Sequence, residues 1–365
     1  MSGILKILPS FHTGGVELST LLVVNYIATN GLKAYVASSG GILESQLSPN
    51  VTHINLALNS KNPIKIIYNV LKLKKIIYKY NIQVIHAGSR APAWSGYIAA
   101  KLAKTKFVTT YHGAYGQNCL KWYYNKVMAL GNPVIVASEY MKKHVRTYYP
   151  GTECTIIPSG IDTNFFQTTD EINIKSRQIR ESLALAKDRK VILLLGRFTR
   201  IKGHEFLLNA VHELNTQIKP IVIFVGDSKN PKFIDYLKQI ARKNGIDLFV
   251  YQDESDIRPF YNLADVVVVP TTKPEAFGRV TVEAMSMGKV VIGNDLGASS
   301  EIIHDPDWIF NSESTQSLAN VINKALVLPI EQAKEIGEQN RERAKMLYDV
   351  TRLTKDHLQI YRNLL

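Results

Sequence analysis

Glu275 and Glu283 stand with seven residues between them in the string Pro274-Glu275-Ala276-Phe277-Gly278-Arg279-Val280-Thr281-Val282-Glu283-Ala284-Met285. The first precedes a glycine turn, and the second falls on the helix expected after it. A glycine and the first amides of a helix can approach a phosphate closely, and the helix dipole adds positive potential there. Carboxylates facing that phosphate would repel it, so the pair is expected to accept hydrogen bonds from sugar hydroxyls on either side. A helix-start glutamate plus one on a solvated face would explain any two glutamates, but it leaves this ordered string unexplained.

A second string, Gly196-Arg197-Phe198-Thr199-Arg200-Ile201-Lys202-Gly203, follows the apolar run 191–195. Arg197 and Lys202 at the carboxyl end of a strand can hold a pyrophosphate. Two cations can neutralise charge growing on a departing diphosphate without a metal. A basic loop on a basic protein accounts for the same residues equally well. His12-Thr13-Gly14-Gly15 opens a helix after the first strand and can turn backbone N–H groups towards a ligand. It is not Gly-x-Gly-x-x-Gly, and no Lys-Ser/Thr follows, so dinucleotide and P-loop readings fit poorly. A plain strand-to-helix turn fits it as well. His112, in Thr110-Tyr111-His112-Gly113, and His86, in Val84-Ile85-His86-Ala87-Gly88, both end strands. A lone histidine is more often structural. Of the two, His112 is the better candidate to bond a sugar hydroxyl or a phosphate, because a glycine follows it.

These strings need elements to carry them. Apolar runs at 4–8, 34–37, 51–56, 83–86, 107–110 and 134–136 read as strands, alternating with helical patterns at 16–29, 64–80, 93–103, 120–130 and 139–148. The alternation restarts with strands at 191–195, 221–225, 248–251, 266–269 and 290–292 and helices at 205–215, 232–243, 257–263 and 280–287. This is the pattern of parallel sheets covered by helices on both faces. The polar stretch 162–175 reads as a hinge, giving an N-terminal domain over 1–165 and a C-terminal one over 166–349. Residues 330–365 read as two helices, and 350–365 is expected to pack back on the N-terminal domain. The fold class is α/β, with two Rossmann-like doubly wound domains facing a cleft and ligands beyond the carboxyl ends of the strands.

The 365 residues exceed what one core usually serves. Cys119 and Cys154 sit in no Cys-x-x-Cys or Cys/His cluster, so a disulfide scaffold or zinc site is not expected and a reducing cytosol fits. The N-terminus lacks a signal-peptide pattern, and no stretch approaches the length of a membrane span. The net charge of +13 is uneven: residues 1–165 hold 17 Lys+Arg against 5 Asp+Glu, and the rest hold 27 against 26. Such a one-sided field favours an anionic partner, nucleic acid or acidic lipid.

Taken together, the strings resemble glycosyltransferase family 4, the retaining GT-B enzymes. The likeness extends to Val136-Ala137-Ser138-Glu139 and Ile157-Pro158-Ser159-Gly160-Ile161-Asp162. His86-Ala87-Gly88-Ser89-Arg90-Ala91-Pro92-Ala93-Trp94 is similar to members that build bacterial lipopolysaccharide or capsule. The resemblance implies a hexosyltransferase whose C-terminal domain holds a nucleotide-sugar donor. Arg197 and Lys202 would bind the diphosphate, Glu283 the ribose and Glu275 the donor sugar. Amides at Gly278, Arg279 and Val280 would contact sugar or phosphate, and the base would lie near Val250 and Tyr251. Gly14 and Gly15 would come from the opposite wall, with His112 facing the sugar. Retention by front-face attack needs no protein nucleophile, metal or cofactor. Arg279 departs from the apolar residue many members carry, and 293–301 follows the family's Gly-rich stretch only loosely.

On a helical wheel of 63–80, Lys65, Lys72, Lys75 and Lys79 share one sector, while Ile66, Ile67, Val70, Leu71, Leu73 and Ile77 lie on the other side, expected to be core. Each lysine can gain about 1 kcal/mol near acidic headgroups. Lys121, Trp122 and Lys126 add basic and aromatic side chains of the interfacial kind. The expectation is a cytoplasmic enzyme, peripheral on the inner membrane, taking a lipid-linked or saccharide acceptor from an anionic surface. Competing readings are an epimerase-like enzyme converting free nucleotide sugar, and a non-catalytic sugar-nucleotide-binding membrane protein. Phosphorolysis lacks an identifiable pyridoxal-phosphate lysine. A nucleic-acid partner is not expected, because only charge supports one.

Overall fold

The computed structural model describes residues 2–12, 14–116, 118–186 and 188–365; Thr13 of the early glycine turn lies outside them. The chain forms two units, one of Met1–Gly160 with Val350–Leu365, the other Ile161–Asp349.

In the first unit the strands are β1 (Gly3–Ile7), β2 (Lys33–Ser38), β3 (Val51–Asn55), β4 (Ile82–Ala87), β5 (Lys106–Tyr111), β6 (Val134–Val136) and β7 (Cys154–Ile156). Its helices are α1 (Gly15–Thr29), α2 (Pro63–Tyr80), α3 (Arg90–Ala103), α4 (Cys119–Asn125) and α5 (Glu139–Tyr148). The second unit holds α6 (Asp170–Ser182), β8 (Val191–Leu195), α7 (His204–His212), β9 (Ile221–Val225), α8 (Pro231–Lys243), β10 (Leu248–Tyr251) and α9 (Arg258–Leu263). It continues with β11 (Val266–Val269), α10 (Arg279–Ser286), β12 (Val290–Asn294), α11 (Ser299–Ile303), β13 (Ile309–Phe310), α12 (Thr315–Leu326) and α13 (Ile330–Tyr348). The last helix, α14 (Val350–Leu364), belongs to the first unit.

The strand orders are β3-β2-β1-β4-β5-β6-β7 and β10-β9-β8-β11-β12-β13. Every strand pair is parallel. β8, β9 and β11 read VILLL, IVIFV and VVVV and are buried at every position, as strands covered on both faces must be. In each sheet the order reverses beside the first strand, between β1 and β4 and between β8 and β11. Such switch points open a crevice at the strands' carboxyl ends. The Gly14-Gly15 turn leaves β1 at one of them, and the Gly196–Gly203 loop leaves β8 at the other.

Three expectations are corrected. The stretch 162–175 is no loose hinge: Thr169 caps α6, its hydroxyl accepting from the Ile172 amide. The break falls at Gly160/Ile161, because the Ile161 amide donates to the Tyr348 carbonyl at 2.9 Å and the Thr163 hydroxyl donates to Asp349 at 2.5 Å. The apolar side of α2 is only partly core: Val70, Leu73 and Ile77 are buried, whereas Ile64, Ile67, Leu71 and Tyr78 are 77, 61, 56 and 65% exposed.

The first unit's core gathers Ile4, Val23, Val24, Ile27, Val36, Val84 and Val108 with Leu353, Leu358 and Tyr361 of α14. Tyr361 also hydrogen-bonds His86 Nδ1 at 2.6 Å.

Candidate functional site

The loop after β8 and the loop after β11 meet through Lys202 and Glu275, whose Nζ and Oε1 lie 2.6 Å apart. Two close approaches set this contact. Gly203 has φ +76°, and a Cβ there would fall 1.8 Å from the Pro270 carbonyl oxygen at the end of β11. Gly297 lies so close to Glu275 that a Cβ would reach its backbone N and O at 2.5 Å. Only glycine fits either place. The Ala298 amide donates to the Glu275 carbonyl at 3.0 Å and holds the turn from behind.

Glu283 is buried on α10. Its Oε2 accepts from the Tyr261 hydroxyl at 3.0 Å, and its Oε1 lies 3.4 Å from the Arg279 guanidinium. Burial pushes its pKa above the usual carboxylate range, while Arg279, the Tyr261 hydroxyl and Lys202 pull the other way. Burial and the neighbouring carboxylate also raise the Tyr261 phenol well above its ordinary value, so it stays a donor. Gly278 begins α10 at φ +114°, and no side chain caps the helix start. The amides of Arg279 and Val280 are therefore open to an anion.

Lys202, Glu275, Gly278, Arg279, Val280 and Glu283 thus share one edge of the second sheet. Arg197 shares the Lys202 loop, but its exposed side chain makes no ion pair or hydrogen bond among the described residues. It lines a cavity of about 670 Å³ with Asp227, Asn230, Phe233 and Asp253. Beneath it, His204 is fully buried, stacked on Phe198 at 4.9 Å and edge-on to Phe224 at 4.9 Å. Burial lowers its pKa to about 4. Val250 and Tyr251 end the edge strand β10. Tyr251 packs on Phe260 at 4.7 Å and faces a different cavity, of about 460 Å³, between α6 and α9. Composition and periodicity had singled out neither Tyr261 nor the acids at 227 and 253; their spacing from the motifs carries no period.

In the first unit, Gly14 and Gly15 start α1, and nothing lies within 4 Å of a Cβ at Gly15. His112 directly follows β5 and is half-buried, and its Nε2 comes within 3.5 Å of where a Gly88 Cβ would stand. Burial, and then the charge of Lys6, lower its pKa to about 3, so it is a neutral hydrogen-bonding group. His86 spends both ring nitrogens, on Tyr361 and on the Thr110 hydroxyl at 2.7 Å, and is a core residue.

Lys65, Lys72, Lys75 and Lys79 are exposed along α2, beside the stripe of Ile64, Ile67, Leu71 and Tyr78. Lys121 and Lys126 are also exposed. Trp122 is not free to enter a membrane interface: its indole N–H donates to the Tyr148 carbonyl at 3.0 Å, and its ring stacks on Tyr149. Leu120 and Tyr123 are the exposed large apolar side chains of α4, at 83 and 63%. No helix among the described residues is long and apolar enough to cross a membrane.

Comparison with known proteins agrees with this arrangement. The model of "Glycosyl transferases group 1" matches residues 175–343, and that of "Glycosyltransferase Family 4" matches residues 13–165. A glycosyltransferase structure from Rickettsia africae ESF-5 superposes with a TM-score of 0.88 at 30% identity, covering 100% of this chain and 98% of that one. The lipopolysaccharide 1,2-N-acetylglucosaminetransferase of Salmonella typhimurium is 31% identical over 226 residues, 59% of this chain and 56% of its own length. The chain spans less than two thirds of the first curated relatives it matches. Anabaena HepE, solved with UDP and glucose, shares the fold at 21% identity and a TM-score of 0.81, covering all of both chains. With both units matched and a relative of the same length and fold at this identity, the chain belongs to the GT-B glycosyltransferases of family 4.

Proposed function

We propose that the protein is a retaining hexosyltransferase that moves a sugar from a nucleotide-sugar donor onto a lipid-linked or saccharide acceptor in lipopolysaccharide or capsule synthesis. The observation that carries this reading is the Lys202–Glu275 pair beside the uncapped start of α10, with Glu283 buried behind it. Lys202, Arg197 and the α10 amides hold the donor diphosphate. Glu275 and Glu283 accept from the hydroxyls of the donor sugar and the ribose. When the diphosphate arrives, Lys202 turns towards it and frees Glu275 for the sugar.

In the transfer step the acceptor hydroxyl oxygen bonds to the anomeric carbon on the face from which the diphosphate leaves. The anomeric C–O bond breaks, its electron pair goes to the diphosphate, and a diphosphate oxygen takes the acceptor's proton. Two cations at that diphosphate stabilise the developing charge, so the step draws on no metal or cofactor. His112, neutral, donates to or accepts from the donor sugar.

The exposed α2 face supports a location on the cytoplasmic side of the inner membrane. Four lysines meet anionic headgroups, and the adjoining aliphatic stripe enters the interface.

Adding UDP, GDP, ADP and CMP sugars singly should raise the melting temperature for one nucleotide class. Glu283→Ala should abolish that shift, and Lys202→Ala should lower turnover. A shift for no class, or turnover unchanged in Lys202→Ala, contradicts the proposal; conversion of free donor without acceptor points to an epimerase-like enzyme.

A further inference from the structure

We propose that Arg90, assisted by Lys61, is a phosphate subsite for the acceptor. This rests on the transferase reading above, with its lipid-linked or saccharide acceptor, and assigns that acceptor to the first unit, which carries the exposed α2 face.

Arg90 lies just past β4, at the sheet's switch-point edge, and its guanidinium is fixed without any acid. One nitrogen donates to Asn125 Oδ1 at 2.9 Å, and the group lies 4.2 Å over the Tyr115 ring and 5.5 Å from that of Tyr124. Each of these neighbours is itself held. Tyr115 packs on Tyr111 at 4.7 Å, the buried Asn125 donates to the Gly116 carbonyl at 3.2 Å, and the Trp94 indole donates to the Tyr124 carbonyl at 3.1 Å. The remaining guanidinium N–H groups make no hydrogen bond among the described residues.

The unit holds few carboxylates to satisfy them. Residues 1–160 carry only Glu17, Glu44, Glu139 and Glu153, and α14 adds Asp356. Glu44 faces His53, Glu139 faces Lys142 and Asp356 faces Arg352. No described ion pair reaches Arg90. A clamped guanidinium with open donors and no counter-charge is pre-organised for an oxyanion supplied from outside the chain.

Lys61 selects phosphate over carboxylate. It lies over the same Tyr124 ring, 5.5 Å from its centroid, and brings a second positive charge suited to a dianion. It also immediately precedes α2, whose exposed aliphatic stripe begins at Ile64. A phosphate joining sugar to lipid, or one borne by the sugar itself, meets both cations.

Calorimetric titrations at low salt with glucose 1-phosphate, dihexanoyl phosphatidic acid and glucuronate test this. Wild type should bind at least one phosphate probe more tightly than glucuronate. Binding of the first alone marks a sugar-borne phosphate, and binding of the second alone a lipid-borne one. Arg90→Gln should raise the Kd at least tenfold, Arg90→Lys less, and the exposed Lys61→Gln two- to fivefold with an unchanged melting temperature. The double variant Arg197→Gln/Lys202→Gln should keep the binding, which separates this subsite from the donor cradle. The assignment is overturned if neither phosphate binds, if glucuronate binds best, if the cradle variant loses the binding, or if the Arg90 and Lys61 variants all match wild type. Failure of the transferase reading shows separately, as no nucleotide-induced melting shift in wild type.

Discussion

His112 and Lys6 are neighbours with linked charges and opposite visibility in the sequence. Thr-Tyr-His-Gly marked His112, while Lys6 passed as a residue of an apolar strand. Yet Lys6 is 4% exposed, on β1 opposite His86, and burial lowers its pKa to about 7. Between about pH 7 and 10.5 the unfolded chain binds the proton that the folded Lys6 has shed, so stability rises with pH across that window. Lys6→Met removes the titration. It should melt above wild type at pH 6, with the advantage narrowing towards pH 10, and differential scanning fluorimetry across that range reads it. A pKa of about 3 keeps His112 neutral from pH 5 upwards. His112→Gln should then lower kcat by roughly fivefold, the worth of about 1 kcal/mol from one hydrogen bond, and leave the pH–rate profile unchanged in shape. The motif residues were legible because close backbone approach and charge at a strand's end restrict residue type at fixed spacing. Tyr261, Asp227 and Asp253 were not: Tyr261 reaches Glu283 from a separate helix, α9, and the two acids line the Arg197 cavity from separate loops, with no shared period.

At the scale of elements, the alternation of apolar runs with amphipathic segments was enough to read two parallel sheets. What it missed were short or polar pieces and one full amphipathic helix, α12, whose buried face is Leu318, Ala319, Ile322, Ala325 and Leu326. β13 has two residues, and α6 is largely polar with Ile172 and Ser176 its buried positions. α2 shows a different limit. A helical wheel gives the angles between side chains but not the direction of the sheet. Burial centres on Asn69, Val70, Leu73 and Ile77, with the Asn69 amide donating to the Ala57 carbonyl, and this rotates Ile67 and Leu71 outwards. Because those two side chains are exposed, Ile67→Glu/Leu71→Glu should change stability by only about 0.5 kcal/mol per site. The same double variant should lose retention on anionic vesicles in a flotation assay at low salt. Retention equal to wild type removes the stripe from the membrane contact.

For the whole molecule, the first unit is not one continuous stretch of chain. Spacing along the sequence carries no information about the His86–Tyr361 bond, which joins positions 275 apart. Leu353, Leu358 and Tyr361 fill the first unit's core, and burying such side chains contributes roughly 2 kcal/mol each. Deleting Val350–Leu365 therefore removes on the order of 6 kcal/mol, comparable to a domain's whole stability. The truncated protein should bind a hydrophobic dye at 25 °C and lose the unfolding transition of this unit; two intact transitions would show that α14 is dispensable. The arrangement also orders events at the ribosome. α14 is made only after all of Ile161–Asp349, which at typical synthesis speeds takes roughly ten to forty seconds. For that interval the face of the sheet carrying Ile4, Val84 and Val108 waits for its cover, and chaperone binding to the nascent chain is expected to concentrate there.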